Sequence, residues 1–353
     1  MDTADFEFDY DLLVELTEAS GVPGYEDRIR DIVRRELEPA VDALDTDGLG
    51  NVVGTIEGDS DYAVVVPAHM DEIGFMVRHV TDEGFLQLDA LGGWDARILK
   101  AQRVTVHTDD GELPGVIGSP PPHTMDEEDL EETAEVEDLY VDLGRPAAEV
   151  DERVSVGDLV TTRQRTEVVG EHINGKALDN RVSVFVLVEA ARAITDPAVT
   201  VHFAATVQEE VGLRGAKALG VDVDADLALA LDTTVANDVP GFEAGDHVTT
   251  LGAGAGIKLK DGSTITNPRV NRRLREVAED RNVPYQHEVL PAGGTDTAGV
   301  QFAGGARPAG AISFPTRYLH TLTESVHHAD VQACLDLLVG FLETETGAFD
   351  YTL

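Results

Sequence analysis

Apolar positions recur along this chain at two periods, and the alternation between them predicts an α/β protein. Leu12, Leu13 and Leu16, then Ile29, Ile32, Val33 and Leu37, follow the 3.6-residue helical repeat, with a glycine-containing break at 21–24 between two helices. Residues 51–56 and 62–67 read as a strand pair joined by the polar turn 57–61. From about 71 to 171 the texture changes. Short β-type runs at 75–80, 85–88, 103–107 and 159–162 are separated by Gly, Asp and Pro turns, and helical periodicity fades. After 175 the alternation returns, with helices expected at 181–194, 271–281 and 330–345 and strands at 199–207 and 227–231. The pattern therefore predicts an α/β domain in two pieces, 1–70 and 173–353, around a β-rich insertion, 71–172. Solenoid-type repeats are absent.

A chain of 353 residues with 42% apolar content can bury a core of ordinary size. The charge adds more: 67 acidic residues stand against 26 basic ones, a formal net charge of -41 spread over the whole sequence. Such a surface opposes nucleic acid and anionic membranes and repels itself at low ionic strength. At 1 M salt the Debye length falls to about 3 Å and that repulsion is largely screened, so the composition predicts a halophilic protein of a salt-rich cytoplasm. Residues 1–10 lack a charged-then-apolar leader, and no apolar run approaches the roughly 20 residues that span a bilayer. The expectation is a soluble, cytoplasmic protein. Cys334, at helical spacing with Val331, Leu335 and Leu338, reads as a small core residue. The stretch 125–137, preceded by prolines at 120–122, reads as a solvated acidic loop or short helix.

Candidate chemistry gathers where apolar runs end. His69-Met70-Asp71 closes the run 63–67, and Glu209-Glu210 closes 199–207. Open α/β sheets place their sites at the carboxyl ends of strands, and carboxylate and imidazole donors without thiolate suit zinc, cobalt or manganese. Asp179, Asp232 after 227–231, and His320 also lie where an apolar element meets a loop. His69, Asp179, Glu210, Asp232 and His320 together could hold two divalent ions, which want a bridging carboxylate, a carboxylate and an imidazole each, and an open position for water. Two dications against three carboxylates leave one positive charge. Glu209 cannot easily bind the ion that its neighbour binds, but it can reach that water as general base. Asp71 shares a face with His69 on an extended backbone and could orient the imidazole. His79, His107, His172, His202, His247 and His287 have no matched partners and read as structural or exposed, while His327 and His328, just before the last helix, read as capping or surface residues.

Six motifs then converge: Ala68-His69-Met70-Asp71-Glu72-Ile73-Gly74, Leu91-Gly92-Gly93-Trp94-Asp95, Lys176-Ala177-Leu178-Asp179-Asn180-Arg181, Gln208-Glu209-Glu210-Val211-Gly212, Gly293-Gly294-Thr295-Asp296 and Arg317-Tyr318-Leu319-His320. In this order, nearly end to end, they resemble the M42 metallo-aminopeptidases, the tetrahedral aminopeptidases of archaea and bacteria. The resemblance implies a di-metal peptidase domain of the phosphorylase/hydrolase-like three-layer α/β type, interrupted by a PDZ-like or barrel-like β domain for dimerisation. It implies two divalent ions per subunit, zinc or cobalt, with His69 and Asp232 on one, Glu210 and His320 on the other, Asp179 bridging and Glu209 as base. It further implies removal of N-terminal residues from peptides inside a homododecamer built from dimers. Gly293, Gly294, Thr295 and Asp296 would line the pocket for the first side chain, or form only a Gly-rich turn.

Two other readings compete. An endoglucanase-like glycoside hydrolase would use a carboxylate pair, but such pairs flank the sugar from about 5–9.5 Å apart, which consecutive Glu209 and Glu210 do not suggest. A non-catalytic metal-binding scaffold would not need Glu209.

Overall fold

The structure, a computed structural model, describes residues 6–124 and 134–353. Residues 125–133 of the acidic stretch lie outside the described residues, and Val136–Asp138 at its end is a single 3-10 turn.

The strands Ser60–His69, Leu227–Val235 and Ala309–Arg317 are buried almost throughout, so apolar residues run on without the alternation of a half-exposed strand. Parallel strands covered on both faces have that character. These three, with Val199–Thr206, form the parallel centre of an 11-stranded sheet. Alternation survives as a choice of face. Val64, Val66 and Ala68 pack into the cluster that holds helices Tyr10–Glu18, Leu178–Ala193 and His328–Thr344, whereas Ala63 and Val65 face Ala216, Leu219 and Val300 of helices Arg214–Asp222 and Asp296–Phe302. Helices thus cover both faces of the sheet, giving the three-layer α/β architecture. Each fully buried Val, Leu or Phe contributes roughly 1.5–3 kcal/mol to it.

The predicted strand pair is corrected by the topology. Val52–Ile56 and Ser60–His69 are not neighbours, because Val199–Thr206 lies between them, antiparallel to the first and parallel to the second. A turn of a few residues looks like a hairpin in sequence, but the apolar strand from the second half of the chain takes the central place. Antiparallel strands close the sheet's edges: Ala43–Thr46 at one end, and Glu324–His327, His172–Gly175 and Glu167–Val169 at the other.

The β-type runs of the middle stretch form a closed six-stranded barrel, in the order Gly74–Val80, Phe85–Leu91, Tyr140–Asp142, Gly111–Ile117, Arg103–Thr108 and Leu159–Thr162. It has its own core, centred on Phe75, Leu88, Val106, Val141 and Val160. The fold is therefore α/β with an inserted barrel. Among the described residues, no helix is long and apolar enough to cross a membrane. Cys334 is buried, its thiol directed at the Ser313 carbonyl. His327 caps the helix His328–Thr344, its Nδ1 accepting from the Ala329 amide at 3.1 Å.

Candidate metal centre

Five elements carry the candidate side chains to one place. His69 closes its strand, Asp232 lies in the adjacent Leu227–Val235, Asp179 opens the helix Leu178–Ala193, Glu209 and Glu210 follow Val199–Thr206, and His320 sits in the loop between the last two strands. His69 Nε2 lies 3.4 Å from Asp179 Oδ1 and 3.7 Å from Asp232 Oδ1. His320 Nε2 lies 3.3 Å from Asp179 Oδ2 and 3.6 Å from Glu210 Oε2. Asp179 thus turns one oxygen to each imidazole, and its Oδ1 is buried with no hydrogen-bond partner. Glu209 Oε2 stands 4.0 Å from His69 Nε2.

Burial and close like charges dominate the electrostatics of the cluster. Burial pushes Glu209 well above the usual carboxylate range, Glu210 up to about 8 and Asp232 upward. Burial opposes charge on His69 as well, yet Glu209 and the neighbouring aspartates raise its pKa well above the ordinary value. His320 rises to about 10 despite burial, through Asp179 and Glu210. Asp179, also disfavoured by burial, is held below the usual range by the two imidazoles. Burial and the like charge of Asp179 raise Glu210 and Asp232, while the two imidazoles hold Asp179 itself down. Three carboxylates, two imidazoles, no thiolate and an unpartnered Asp179 oxygen fit divalent ions of hard or borderline character.

Two buried carboxylates that do not face the centre hold its backbone in place. Asp71 accepts the Glu209 amide through Oδ1 at 3.0 Å and the Glu210 amide through Oδ2 at 3.1 Å. Its carbonyl oxygen lies 3.2 Å from His69 Nδ1, so an N–H there would leave Nε2 free towards the cluster. Glu324, absent from the sequence reading, repeats the device: Oε2 accepts the Asp179 amide and Oε1 the His320 amide, both at 2.9 Å. His320 needs this, because its φ of 57° is left-handed and its side chain is 39% exposed. Other charged motif residues belong to the scaffold. Glu72 takes Lys176 Nζ at 2.5 Å and the Gly21 amide at 3.2 Å, while fully buried Arg181 donates to the Leu16 and Ala19 carbonyls.

Gly293, Gly294 and Thr295 line a cavity of about 500 Å³ that also opens on His69, Glu209 and His320. Asp296 does not line it. Its buried carboxylate accepts from Thr206 Oγ1, and burial raises its pKa to about 7. Gly92 and Gly93 come from the barrel: a Cβ on Gly93 would stand 3.2 Å from His320 Nδ1, and one on Gly92 3.4 Å from Glu210 Cβ. Trp94 stacks on Phe75 at 4.8 Å and donates to the Gly74 carbonyl, so it is part of the barrel wall.

Comparison with known proteins identifies the family. Residues 50–337 match the family profile described as M42 glutamyl aminopeptidase. The putative aminopeptidase FrvX of Escherichia coli is 37% identical over 340 residues, covering 95% of each chain. Among solved structures, the aminopeptidase APDkam598 of Desulfurococcus kamchatkensis is 37% identical with a TM-score of 0.91, covering 95% of this chain and 94% of its own. The Pyrococcus horikoshii TET1 peptidase, which can assemble into a tetrahedron or a large octahedral shell, is 32% identical with a TM-score of 0.86, covering 95% and 99%. The chain belongs to the M42 family of metal-dependent aminopeptidases.

Proposed function

We propose that this aminopeptidase removes N-terminal residues from oligopeptides at a centre of two divalent ions, zinc or cobalt. His69 and Asp232 would hold one ion, Glu210 and His320 the other, and Asp179 would bridge them. The observation that carries this reading is Asp179 itself, with one oxygen 3.4 Å from His69 Nε2 and the other 3.3 Å from His320 Nε2. When bound, the ions would polarise the scissile carbonyl and acidify a shared water. Glu209, with Oε2 4.0 Å from His69 Nε2, opens on the cavity. It would take the proton of the attacking water and deliver it to the leaving amine. Asp71 and Glu324 would keep the donors in position, and the sugar-cleaving alternative finds no support in Trp94, whose ring is packed on Phe75.

We also propose the division into 1–70 with 173–353 as catalytic domain and 71–172 as dimerisation domain. By likeness to the TET1 peptidase, solved as a dodecamer, dimers would assemble into a homododecamer. The net charge of -41 supports adaptation to molar salt, and the location proposed is cytoplasmic. The test is a panel of free and N-acetylated peptides across a salt series, with and without chelator. Free termini should be cleaved, acetylated ones spared, chelator should abolish turnover, and activity should decline as salt is withdrawn. Chelator-indifferent cleavage would defeat the metal reading.

Glu324→Gln gives a narrower test of the clamp. The amide keeps one acceptor but turns an NH₂ group towards a backbone N–H. Loss of such a supporting contact should weaken binding of zinc by about 10–100-fold, measured by chelator competition, with the melting temperature of the metal-free protein little changed.

A further inference from the structure

The cavity beside Glu209 runs from the His and carboxylate cluster to the loop after the strand Tyr285–Val289. Besides the cluster, its lining is mainly aliphatic and uncharged: Leu213, Val235, Leu290 and Leu319, all half-buried, together with Thr233, Thr234 and the Gly293–Gly294 turn. Among the described lining residues, every charged side chain belongs to the cluster already described or is Glu209. Lys258 is a cation of the adjoining strand, Ala255–Lys260. It is fully buried, bonded to Glu288 and 3.8 Å from Asp261 Oδ2, so two carboxylates already claim it. Thr295 Oγ1, at 3.4 Å from the same Asp261 oxygen, lies between this ion group and the cavity.

We infer that the first side chain of the substrate enters this aliphatic wall, and that the enzyme selects neutral, branched or unbranched aliphatic N-terminal residues over acidic or basic ones. The inference rests on the proposed reading of the site as an aminopeptidase and goes beyond it in naming the substrate class. A glutamyl side chain would lose its hydration without meeting a free cation. A lysyl ammonium would meet only carboxylates that the ions and the proton transfer require. Burying either charge unpaired is costly, whereas each methylene on an apolar wall improves discrimination by about 10-fold or more. The selectivity therefore departs from the glutamyl label of the family profile.

The test is kcat/KM of the metal-loaded enzyme on leucyl, methionyl, alanyl, glutamyl and lysyl p-nitroanilides in high salt. Leucyl and methionyl substrates should exceed glutamyl and lysyl ones by about 10-fold or more, with alanyl between. Leu290→Lys should reverse the leucyl-to-glutamyl ratio by placing a free cation on the wall. A wild-type preference for glutamyl or lysyl substrates overturns the inference and leaves the peptidase reading intact. An unchanged ratio in Leu290→Lys overturns this assignment of the wall. Failure to cleave any free N-terminus overturns both readings together, so the results are distinguishable.

Discussion

Glu209→Gln is expected to lower kcat by about 10²–10⁴-fold, the usual contribution of a positioned general base. Glutamine has nearly the same shape, and the Glu209 and Glu210 amides would still be held by Asp71, so the backbone should not move. The substitution removes one function only, the capacity to accept a proton. Metal content by elemental analysis should match the wild type, and KM should change little. The pH profile of kcat should lose the limb that reports the base. Activity within about threefold of wild type would exclude Glu209 from proton transfer, which an essential base makes far costlier.

Asp179→Asn should be as damaging by another route. The native carboxylate faces two imidazoles with two equivalent oxygens, whereas an amide offers one oxygen and one NH₂ group. The NH₂ would point at an Nε2 or at an ion, and the formal charge that offsets the dications would fall by one. Supporting contacts around metal ligands are worth about 10–100-fold, so loss of a bridging ligand should exceed that range in kcat/KM. Titration with zinc should show fewer than two ions bound at concentrations that saturate the wild type. Two tightly held ions in the variant would remove Asp179 from the bridging role.

The residues that close buried strands were legible in the sequence because position and chemistry agree there. His69 and Glu209–Glu210 follow strands whose carboxyl-terminal halves are buried throughout, and a polar group at such an end is conspicuous. Its spacing from His69 singles out Asp71, but the bonds of its carboxylate to two distant amides depend on strand pairing that spacing cannot reveal. Glu324 was not legible at all. In a chain with 67 acidic residues, a glutamate between Thr323 and Ser325 carries no signal of burial. The strand Ala309–Arg317 was also missed, since Gly310 and Pro315 interrupt it and proline weakens a central-strand assignment. The insertion of Val199–Thr206 between two early strands is a long-range choice, made by packing and not by local pattern.

One contact across the two parts of the molecule limits how this protein can be rebuilt. The Gly92–Gly93 backbone leaves a barrel strand and fits against Glu210 and His320 so closely that a methyl group on Gly93 would press on the imidazole. The barrel is therefore not a detachable cassette: shortening it, or exchanging it for the equivalent piece of a relative, also removes the backbone that Glu210 and His320 lean on.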